Sequence, residues 1–248
     1  MIHPAAIIGK KAKIASGVEI GPYTVVEDDV EIGPGTKIAS FCTLTGYTVI
    51  GKNNQIFSNT VIGSIPQDLK YKGEKSRLII GDGNRIREFV TINIGTAASG
   101  ETVIGNNNLI MAYAHIAHDC IINNHTIIAN AGTLAGHVLV EDNAIIGGLT
   151  GVHQFVKIGK FAIIGGCSKV VQDIPPYSTS DGHPVKVRGV NIEGLKRAGF
   201  DAEKRNILRR AFKILFFSGH PLSKALKILE KELGNIPEVN YLIEFVQN

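Results

Sequence analysis

Five of the eight histidines in this 248-residue chain fall in one central segment: His115, His118, His125, His137 and His153. Imidazole titrates near neutral pH, so clustered histidines suit either general base catalysis or zinc coordination. Counting in steps of six from His118, the third step reaches Gly136 and the sixth reaches Gln154, and His137 and His153 adjoin those two positions. A fold that closes one coil every three such steps would therefore stack His118, His137 and His153 along one edge.

Two kinds of chemistry fit this cluster. Three histidines could hold a zinc ion, as in carbonic anhydrases built on a β-helix. Alternatively, His118 could act alone as a base, with the Gly136 backbone N–H facing a developing oxyanion. Asp119 adjoins His118, but neighbouring side chains of a strand point apart, so their direct pairing stays open. His125 lies off the column and is predicted to have no role in the site.

A six-residue repeat supplies the fold that positions these residues. Stepping by six from Ile2 to Val170 meets Ile, Leu or Val everywhere except at Asp68, Glu74 and Ala98. A period of six fits neither strand alternation nor an α-helix, but it fits a short strand plus a sharp turn. Three such units close one triangular coil. The sequence therefore predicts an all-β parallel β-helix over residues 1–190.

The interruptions of the repeat predict loops and a second domain. Residues 66–76 form a polar loop and residues 97–101 a smaller one, both placed to contact a substrate. Pro175 and Pro176 end the repeat. Residues 191–248 form a small α-helical domain, with Asp201 and Ser223 as predicted helix caps and Pro237 as a helix start. Its first part is basic, which suits either an ordinary solvated face or an acidic partner.

Composition narrows the class of protein. The net charge of +4 does not indicate a nucleic-acid-binding protein. No apolar run is long enough to span a membrane, and the first residues lack the features of a signal peptide. Three widely separated cysteines without a CxxC pair argue against disulfides and suit a reducing cytoplasm. We therefore expect a cytoplasmic protein without stable membrane insertion.

Several segments together resemble one enzyme family, the UDP-N-acetylglucosamine O-acyltransferases that begin lipid A synthesis. The resemblance covers essentially the whole chain, and its most specific segments are Ile62–Tyr71, Ala114–Cys120, Leu134–His137, Val152–Phe155, Gln172–Tyr177 and Asn191–Phe200. It implies that the β-helix is left-handed, an exception to the usual handedness of crossovers. It also implies a homotrimer with active sites between subunits.

The resemblance implies transfer of an (R)-3-hydroxyacyl group from acyl carrier protein to the 3-OH of UDP-N-acetylglucosamine. His118 would be the base, Gly136 the oxyanion donor, and Asp119 a further catalytic residue. Sugar, nucleotide and pantetheine would be positioned by Gln67, Asp68, Lys70, His115, His137, His153, Gln154, Asn191, Glu193 and Arg197. Gly166 would border the far end of the acyl pocket, and the basic helices would receive the carrier protein. No metal or cofactor is implied beyond the phosphopantetheine of that protein.

Alternatives remain at this point. Family members often carry His where this chain has Asn93, and some relatives acylate a 3-amino sugar, so that acceptor is the first alternative. An acetyl-CoA-dependent sugar acetyltransferase of the same fold would not explain the helical tail. A later N-acyltransferase of lipid A synthesis normally has an extra N-terminal domain, whereas here the repeat starts at Ile2. A zinc carbonic anhydrase and a non-enzymatic scaffold complete the set.

Overall fold

Very short parallel strands make up most of the chain. The computed structural model describes residues 1–247. The strands in chain order are β1 Ile7–Ile8, β2 Lys13–Ile14, β3 Glu19–Ile20, β4 Val25–Val26, β5 Val30–Ile32, β6 Lys37–Ile38, β7 Thr43–Leu44, β8 Tyr47–Ile50, β9 Gln55–Ile56, β10 Val61–Ser64, β11 Arg77–Ile80, β12 Arg85–Ile86, β13 Thr91–Asn93, β14 Glu101–Ile104, β15 Leu109–Ile110, β16 His115–Ile116, β17 Ile121–Ile122, β18 Ile127–Ile128, β19 Thr133–Leu134, β20 Leu139–Val140, β21 Ile145–Ile146, β22 Gly151–Val152, β23 Lys157–Ile158, β24 Ile163–Ile164, β25 Lys169–Val170, β26 Ser178–Gly182 and β27 Val185–Val190.

Every third strand pairs with the next in the same sheet, which gives three parallel sheets. The first sheet runs from β1 through β4 to β25, the second from β2 to β23, and the third from β3 to β24 before adding β26 and β27. Partners are separated by three six-residue repeats where no loop intervenes, as in Ile8↔Val26 and Ile116↔Leu134. The predicted three-sided coil is confirmed. The last pair, β26 with β27, is antiparallel.

The repeated apolar residues form the core of this prism. From Ile20 to Val170 the residues of the six-residue register that lie in strands point inward and are at most 4% exposed. Stacking them at the strand spacing of about 4.8 Å buries a continuous column of Ile, Leu and Val. Cys42 and Cys120 share this interior, at 1% and 0% exposure. Burial raises the pKa of the Cys120 thiol to about 12, so it is an inert part of the core.

The prism has three edges, each formed by the turns between two sheets. We call the turns from the first sheet to the second the first edge, those from the second to the third the second edge, and those from the third to the first the third edge. Residues 65–76, between β10 and β11, and residues 94–100, between β13 and β14, both leave from the first edge. We call them loop 1 and loop 2. Their positions agree with the two breaks in the repeat.

Helices follow the last strand: α1 Ile192–Arg197, α2 Ala202–Phe217, α3 Leu222–Leu233 and α4 Pro237–Gln247. Asp201 caps α2 by accepting a hydrogen bond from Lys204 N, and α4 opens at Pro237, as predicted. The predicted cap at Ser223 is wrong. Pro221 precedes α3 instead, because proline fits the start of a helix where its missing N–H costs nothing.

The helices bury a second apolar core that continues onto the end of the β-helix. Leu195, Leu208, Phe212 and Leu229 are at most 1% exposed, and Tyr177 of the β-helix lies among them. The Tyr241 hydroxyl on α4 donates to Glu141 Oε1 at 2.5 Å, which ties the last helix to the second edge. Within residues 1–247, none of the helices has both the length and the apolar character needed to cross a membrane.

Candidate active site

The first edge collects most of the predicted site residues. Its turns carry His118 and Asp119 in one coil, Gly136 and His137 in the next, and then His153 and Gln154. Loop 1, with Gln67, Asp68 and Lys70, leaves from the same edge. The periodicity of the sequence therefore placed the cluster correctly, and the two interruptions of the repeat lie beside it.

His118 and Asp119 form a direct pair. His118 Nδ1 lies 2.7 Å from Asp119 Oδ2, and the two side chains are 14% and 0% exposed. Asp119 has a φ of 60°, because it occupies the left-handed position of its turn. The strand rule that sends neighbouring side chains apart does not hold at such a position. The pairing that the sequence left open is thus explained by backbone geometry.

Four hydrogen bonds converge on the Asp119 carboxylate. Besides His118 Nδ1, it accepts from Thr96 N at 2.9 Å, from Thr96 Oγ1 at 2.7 Å and from the Ser99 hydroxyl. Burial alone raises the pKa of Asp119, but the hydrogen bonds from Ser99, Thr96 and His118 outweigh it and lower the pKa to about 2. Asp119 is therefore ionised at neutral pH and only accepts hydrogen bonds. This fixes the proton of neutral His118 on Nδ1 and leaves the Nε2 lone pair free to take a proton.

Gly136 lies directly against the His118 ring. A Cβ atom added to Gly136 would be 2.5 Å from Cε1 and 2.7 Å from Nε2 of His118, closer than nonbonded carbon atoms approach. Glycine is therefore the residue that lets the ring lie across this turn. Within residues 1–247 the Gly136 N–H has no hydrogen-bond acceptor. The backbone can thus offer a free donor next to the basic nitrogen.

His137 lies above Asp119 in the left-handed position of the next coil. Its Nε2 is 3.6 Å from Asp119 Oδ2, and its ring meets the His118 ring edge-on at 5.2 Å. On its other side, His137 stacks on Phe155, with ring centroids 4.5 Å apart. The ligand atoms of His118, Asp119 and His137 all lie within 4.8 Å of one another, a spacing that could also hold a metal ion.

Three further polar residues border this centre. His115 lies on the neighbouring face of the first sheet, where its Nδ1 is 2.7 Å from Thr91 Oγ1. Burial lowers the pKa of His115, and the charge of His118 lowers it further, which favours a neutral ring. His153 and Gln154 are exposed, and His153 Nδ1 lies 3.1 Å from the Gln154 carbonyl oxygen. All three are accessible enough to contact a substrate.

The base of loop 1 is anchored to the neighbouring coil. The Asn93 amide Nδ2 donates to Ser64 Oγ at 2.8 Å and to the Ile65 carbonyl oxygen at 3.1 Å. Asp68 accepts a hydrogen bond from the Lys70 backbone N–H at 2.9 Å, and Lys70 itself is exposed. The residues of loop 1 therefore project from a base that is fixed against the site.

Another group of predicted residues lies on different edges of the same chain. Asn191 caps α1, with Oδ1 accepting from Gly194 N at 3.0 Å and Nδ2 donating to the Phe161 carbonyl oxygen at 2.9 Å. Phe161 belongs to the second edge, so Asn191 lies there, and Glu193 and Arg197 follow it on helix α1. Gly166 lies on the third edge, between β24 and β25. One copy of the chain does not bring these residues together with His118.

Three residues of this centre escaped the sequence analysis. Phe155 lies one coil after His137, so the coil spacing would have found it had aromatic residues been included. Thr96 and Ser99 lie in loop 2, where the six-residue register is broken. No spacing in the sequence indicates that they reach Asp119.

Comparisons with known proteins identify the family of the chain. The family model described as Udp N-acetylglucosamine O-acyltransferase, Domain 2, matches residues 173–248, and the model for bacterial transferase hexapeptide repeats matches residues 11–46 and 101–136. A relative from Thiobacillus denitrificans, named acyl-[acyl-carrier-protein]–UDP-N-acetylglucosamine O-acyltransferase, is 50% identical over 99% of this chain and 95% of its own length. One of the same name from Xanthomonas campestris is 47% identical over 100% of this chain and 95% of its own length.

Solved structures give the same result. LpxA from Bacteroides fragilis, a UDP-N-acetylglucosamine acyltransferase, superposes with a TM-score of 0.98 at 44% identity, covering 100% of this chain and 97% of its own. LpxA from Acinetobacter baumannii gives 0.96 at 43% identity, covering 99% and 96%. The predicted left-handed β-helix with a small helical end is thereby confirmed. The chain is an acyltransferase that belongs to the UDP-N-acetylglucosamine O-acyltransferase family.

Proposed function

We propose that this enzyme transfers an (R)-3-hydroxyacyl chain from acyl carrier protein to the 3-OH of UDP-N-acetylglucosamine, as in lipid A synthesis. The names of its relatives supply the two substrates. The observation that carries the mechanism is the pair of His118 and ionised Asp119, with the free N–H of Gly136 beside it.

His118 acts as the general base. A sugar hydroxyl is a poor nucleophile at neutral pH, so His118 Nε2 takes its proton while the sugar oxygen attacks the thioester carbonyl. Asp119 accepts from Nδ1 throughout, which holds the tautomer and stabilises the imidazolium that forms. When the C–S bond breaks, the imidazolium returns the proton to the departing thiolate of the pantetheine. The products are the ester and the free carrier-protein thiol.

Gly136 stabilises the oxyanion of this reaction. As the oxygen attacks, negative charge develops on the former carbonyl oxygen, and a backbone N–H beside His118 can donate to it. The coils on either side hold the backbone of Gly136, and therefore its N–H, in place. Gly136 therefore serves twice, because its missing side chain makes room for the ring that removes the proton.

The remaining first-edge residues hold the substrates. Gln67, Asp68 and Lys70 on loop 1 offer hydrogen bonds and a positive charge to the sugar nucleotide. His137, His153 and Gln154 line the next two coils, and His115 lies on the adjacent face. The reaction needs no metal or resident cofactor, since the acyl group arrives already activated as a thioester.

The site is completed by a neighbouring subunit of a homotrimer. Arg197, suited to bidentate contact with a diphosphate, is exposed on the second edge, away from His118 of the same chain. Asn191 orients α1 so that Glu193 and Arg197 face outward. Placing the second edge of one subunit against the first edge of the next brings both sets together by rotational symmetry. Gly166, on the third edge, then borders the far end of the acyl chain.

The carrier protein docks on the exposed side of α2. Arg209 and Lys213 are exposed on successive turns of the helix, and neither has an acidic partner within residues 1–247. Arg210 instead pairs with Glu232, and Arg205 is half-buried against the Phe200 carbonyl.

The enzyme works in the cytoplasm. All three cysteines are free, which fits a reducing compartment.

A 3-amino sugar is the second candidate acceptor, because of Asn93. Its Oδ1 is the only buried side-chain N or O atom within residues 1–247 without a hydrogen-bond partner, and Asn93 follows Ile92, which pairs with Ile116 of the neighbouring coil. A hydroxyl has one proton, which His118 removes. An amine keeps a second N–H after the first is removed, and Asn93 Oδ1 is an unpaired acceptor in the coil next to that of His118.

An acyl-transfer assay with a panel of carrier-protein thioesters tests the proposal. We expect product with UDP-N-acetylglucosamine, and His118→Ala should lower kcat about 10² to 10⁴-fold, the usual contribution of a positioned base. His125→Ala, on the second edge, is the matched control and should be nearly silent. Full activity of His118→Ala would make the base assignment wrong.

Two other outcomes would favour the alternatives. A higher kcat/KM for the 3-amino sugar would establish the second acceptor. Zinc that is bound by the wild type and lost in the His118 and His137 variants would support metal chemistry.

A further inference from the structure

Loop 2 supplies most of the hydrogen bonds to the Asp119 carboxylate. Oδ1 accepts from Thr96 N and from the Ser99 hydroxyl, while Oδ2 accepts from Thr96 Oγ1 and from His118 Nδ1. Each carboxylate oxygen thus has two donors, and three of the four come from loop 2. With both oxygens occupied in this way, the carboxylate cannot rotate about its own axis without losing bonds.

Burial makes these bonds matter. The Asp119 side chain is 0% exposed, and a buried carboxylate is costly unless hydrogen bonds replace the water it has lost. Without Thr96 and Ser99, the side-chain donors left near this carboxylate within residues 1–247 would be His118 and, at 3.6 Å, His137. The carboxylate could then rotate, or water could donate to Oδ2. Either change would weaken the hydrogen bond between Oδ2 and His118 Nδ1, which fixes the proton on Nδ1.

Loop 2 is itself held by loop 1 and by Ser64, the last residue of β10. The Ser76 hydroxyl donates to the Gly95 carbonyl oxygen at 2.5 Å, Ala97 N donates to Glu74 Oε1 at 3.3 Å, and Ile94 N donates to the Ser64 carbonyl oxygen at 3.0 Å. The loop that carries Asp68 and Lys70 therefore buttresses the loop that holds Asp119. Hydrogen bonds therefore connect loop 1 to loop 2, and loop 2 to the carboxylate that pairs with His118.

We propose that Thr96 and Ser99 are positioning residues of the acyl transfer, which hold the Asp119 carboxylate so that it keeps His118 oriented with Nε2 free. The proposal rests on His118 being the base of the proposed function. The effect of these two residues on the rate passes through Asp119, and that distinguishes them from residues that only stabilise the fold.

The test compares Ser99→Ala, Thr96→Val and Thr96→Ser with the wild-type enzyme. Loss of one hydrogen bond to a charged group should lower kcat about tenfold in Ser99→Ala and in Thr96→Val, while KM for the UDP-sugar changes less than about twofold. Thr96→Ser keeps the hydroxyl and should retain nearly full kcat. Thr36→Val is the matched control, because Thr36 is buried and donates to the Gly51 carbonyl on the second edge. It should lower the melting temperature without lowering kcat at a temperature where the protein is folded.

A double-mutant cycle separates action through Asp119 from a general effect. In an Asp119→Ala background, Ser99→Ala should cause no further loss of kcat, because the group it positions is gone. The same additional loss in both backgrounds would overturn the proposal, as would wild-type kcat in both Ser99→Ala and Thr96→Val. If those two are silent while His118→Ala is inactive, the positioning role fails and the proposed base stands. If His118→Ala is fully active, the proposed mechanism itself fails.

Discussion

At the scale of single residues, the site depends on where two left-handed turn positions send their side chains. Asp119 and His137 have φ values of 60° and 62°, and both side chains lie along the first edge instead of alternating across a strand. The sequence predicted that His118 and Gly136 are neighbours, since they are one coil apart. It could not predict the bond between His118 and Asp119, because that bond depends on a backbone angle that no residue type in the segment requires.

Substituting Gly136 tests the packing against the base. In Gly136→Ala the new Cβ would meet the His118 ring at 2.5 Å, so the ring must move away from its bond to Asp119. We expect kcat to fall at least about tenfold while the melting temperature stays within a few degrees, since ring displacement relieves the clash. Gly151→Ala is the control, because nothing lies within 4 Å of a Cβ at Gly151, in strand β22 of the first sheet. Equal kinetics of the two variants would contradict the assigned geometry.

The low pKa of Asp119 predicts how stability depends on pH. The pKa of about 2 in the folded protein lies below the ordinary value of 3.8. The ionised carboxylate therefore stabilises the fold fully above about pH 5, and this contribution is lost as the pH falls through 4 toward 2. The quantity to measure is the difference in free energy of unfolding between wild type and Asp119→Asn. It should shrink between pH 4 and 2 in denaturant titrations, and a difference that grows on acidification would contradict the assignment.

At the scale of elements, regular repeats were predictable and breaks in them were predictable only as loops. Ile, Leu or Val every sixth residue fixes each short strand, because that residue must face the prism interior. Loop 2 has no such register, so the contacts of Thr96 and Ser99 were invisible in the sequence. Helix α1 was missed because it is short and follows directly on β27. The structure explains where the helix starts. Asn191 caps it, and its side chain occupies the space that a Cβ at Gly194 would need.

The exposed basic residues of helix α2 allow a test of carrier-protein docking. Reversing the charges in Arg209→Glu/Lys213→Glu should raise KM for acyl carrier protein at least about tenfold and leave binding of the UDP-sugar unchanged. The effect should shrink as salt is added, because exposed charges are screened over about 8 Å at physiological ionic strength. Lys10→Glu, in the first coil at the other end of the β-helix, is the control. If KM for acyl carrier protein is unchanged, the basic side of α2 is an ordinary solvent-exposed face and does not bind the carrier protein.

At the scale of the whole molecule, the three edges carry different parts of the proposed site. The proposed base lies on the first edge, the proposed diphosphate contact on the second, and the proposed end of the acyl pocket on the third. The sequence repeat places His118 and Gly166 on their edges, since residues one coil apart share an edge, whereas Arg197 follows the end of the repeat. It carried no information on how copies of the prism meet, because that depends on the shape and chemistry of whole faces.

Mixed assemblies test whether two subunits share each site. Three chains of 26.6 kDa should give a particle of about 80 kDa by light scattering. His118→Ala and Arg197→Glu should each be nearly inactive as pure trimers. When the two variants are unfolded and refolded together in equal amounts, about a quarter of the interfaces should pair an intact His118 with the neighbour's intact Arg197 and regain wild-type kcat. Refolding each variant alone is the control. If the mixture is no more active than the mean of the two parents, both residues belong to a site within one chain. A stable active monomer in light scattering would exclude the shared site altogether.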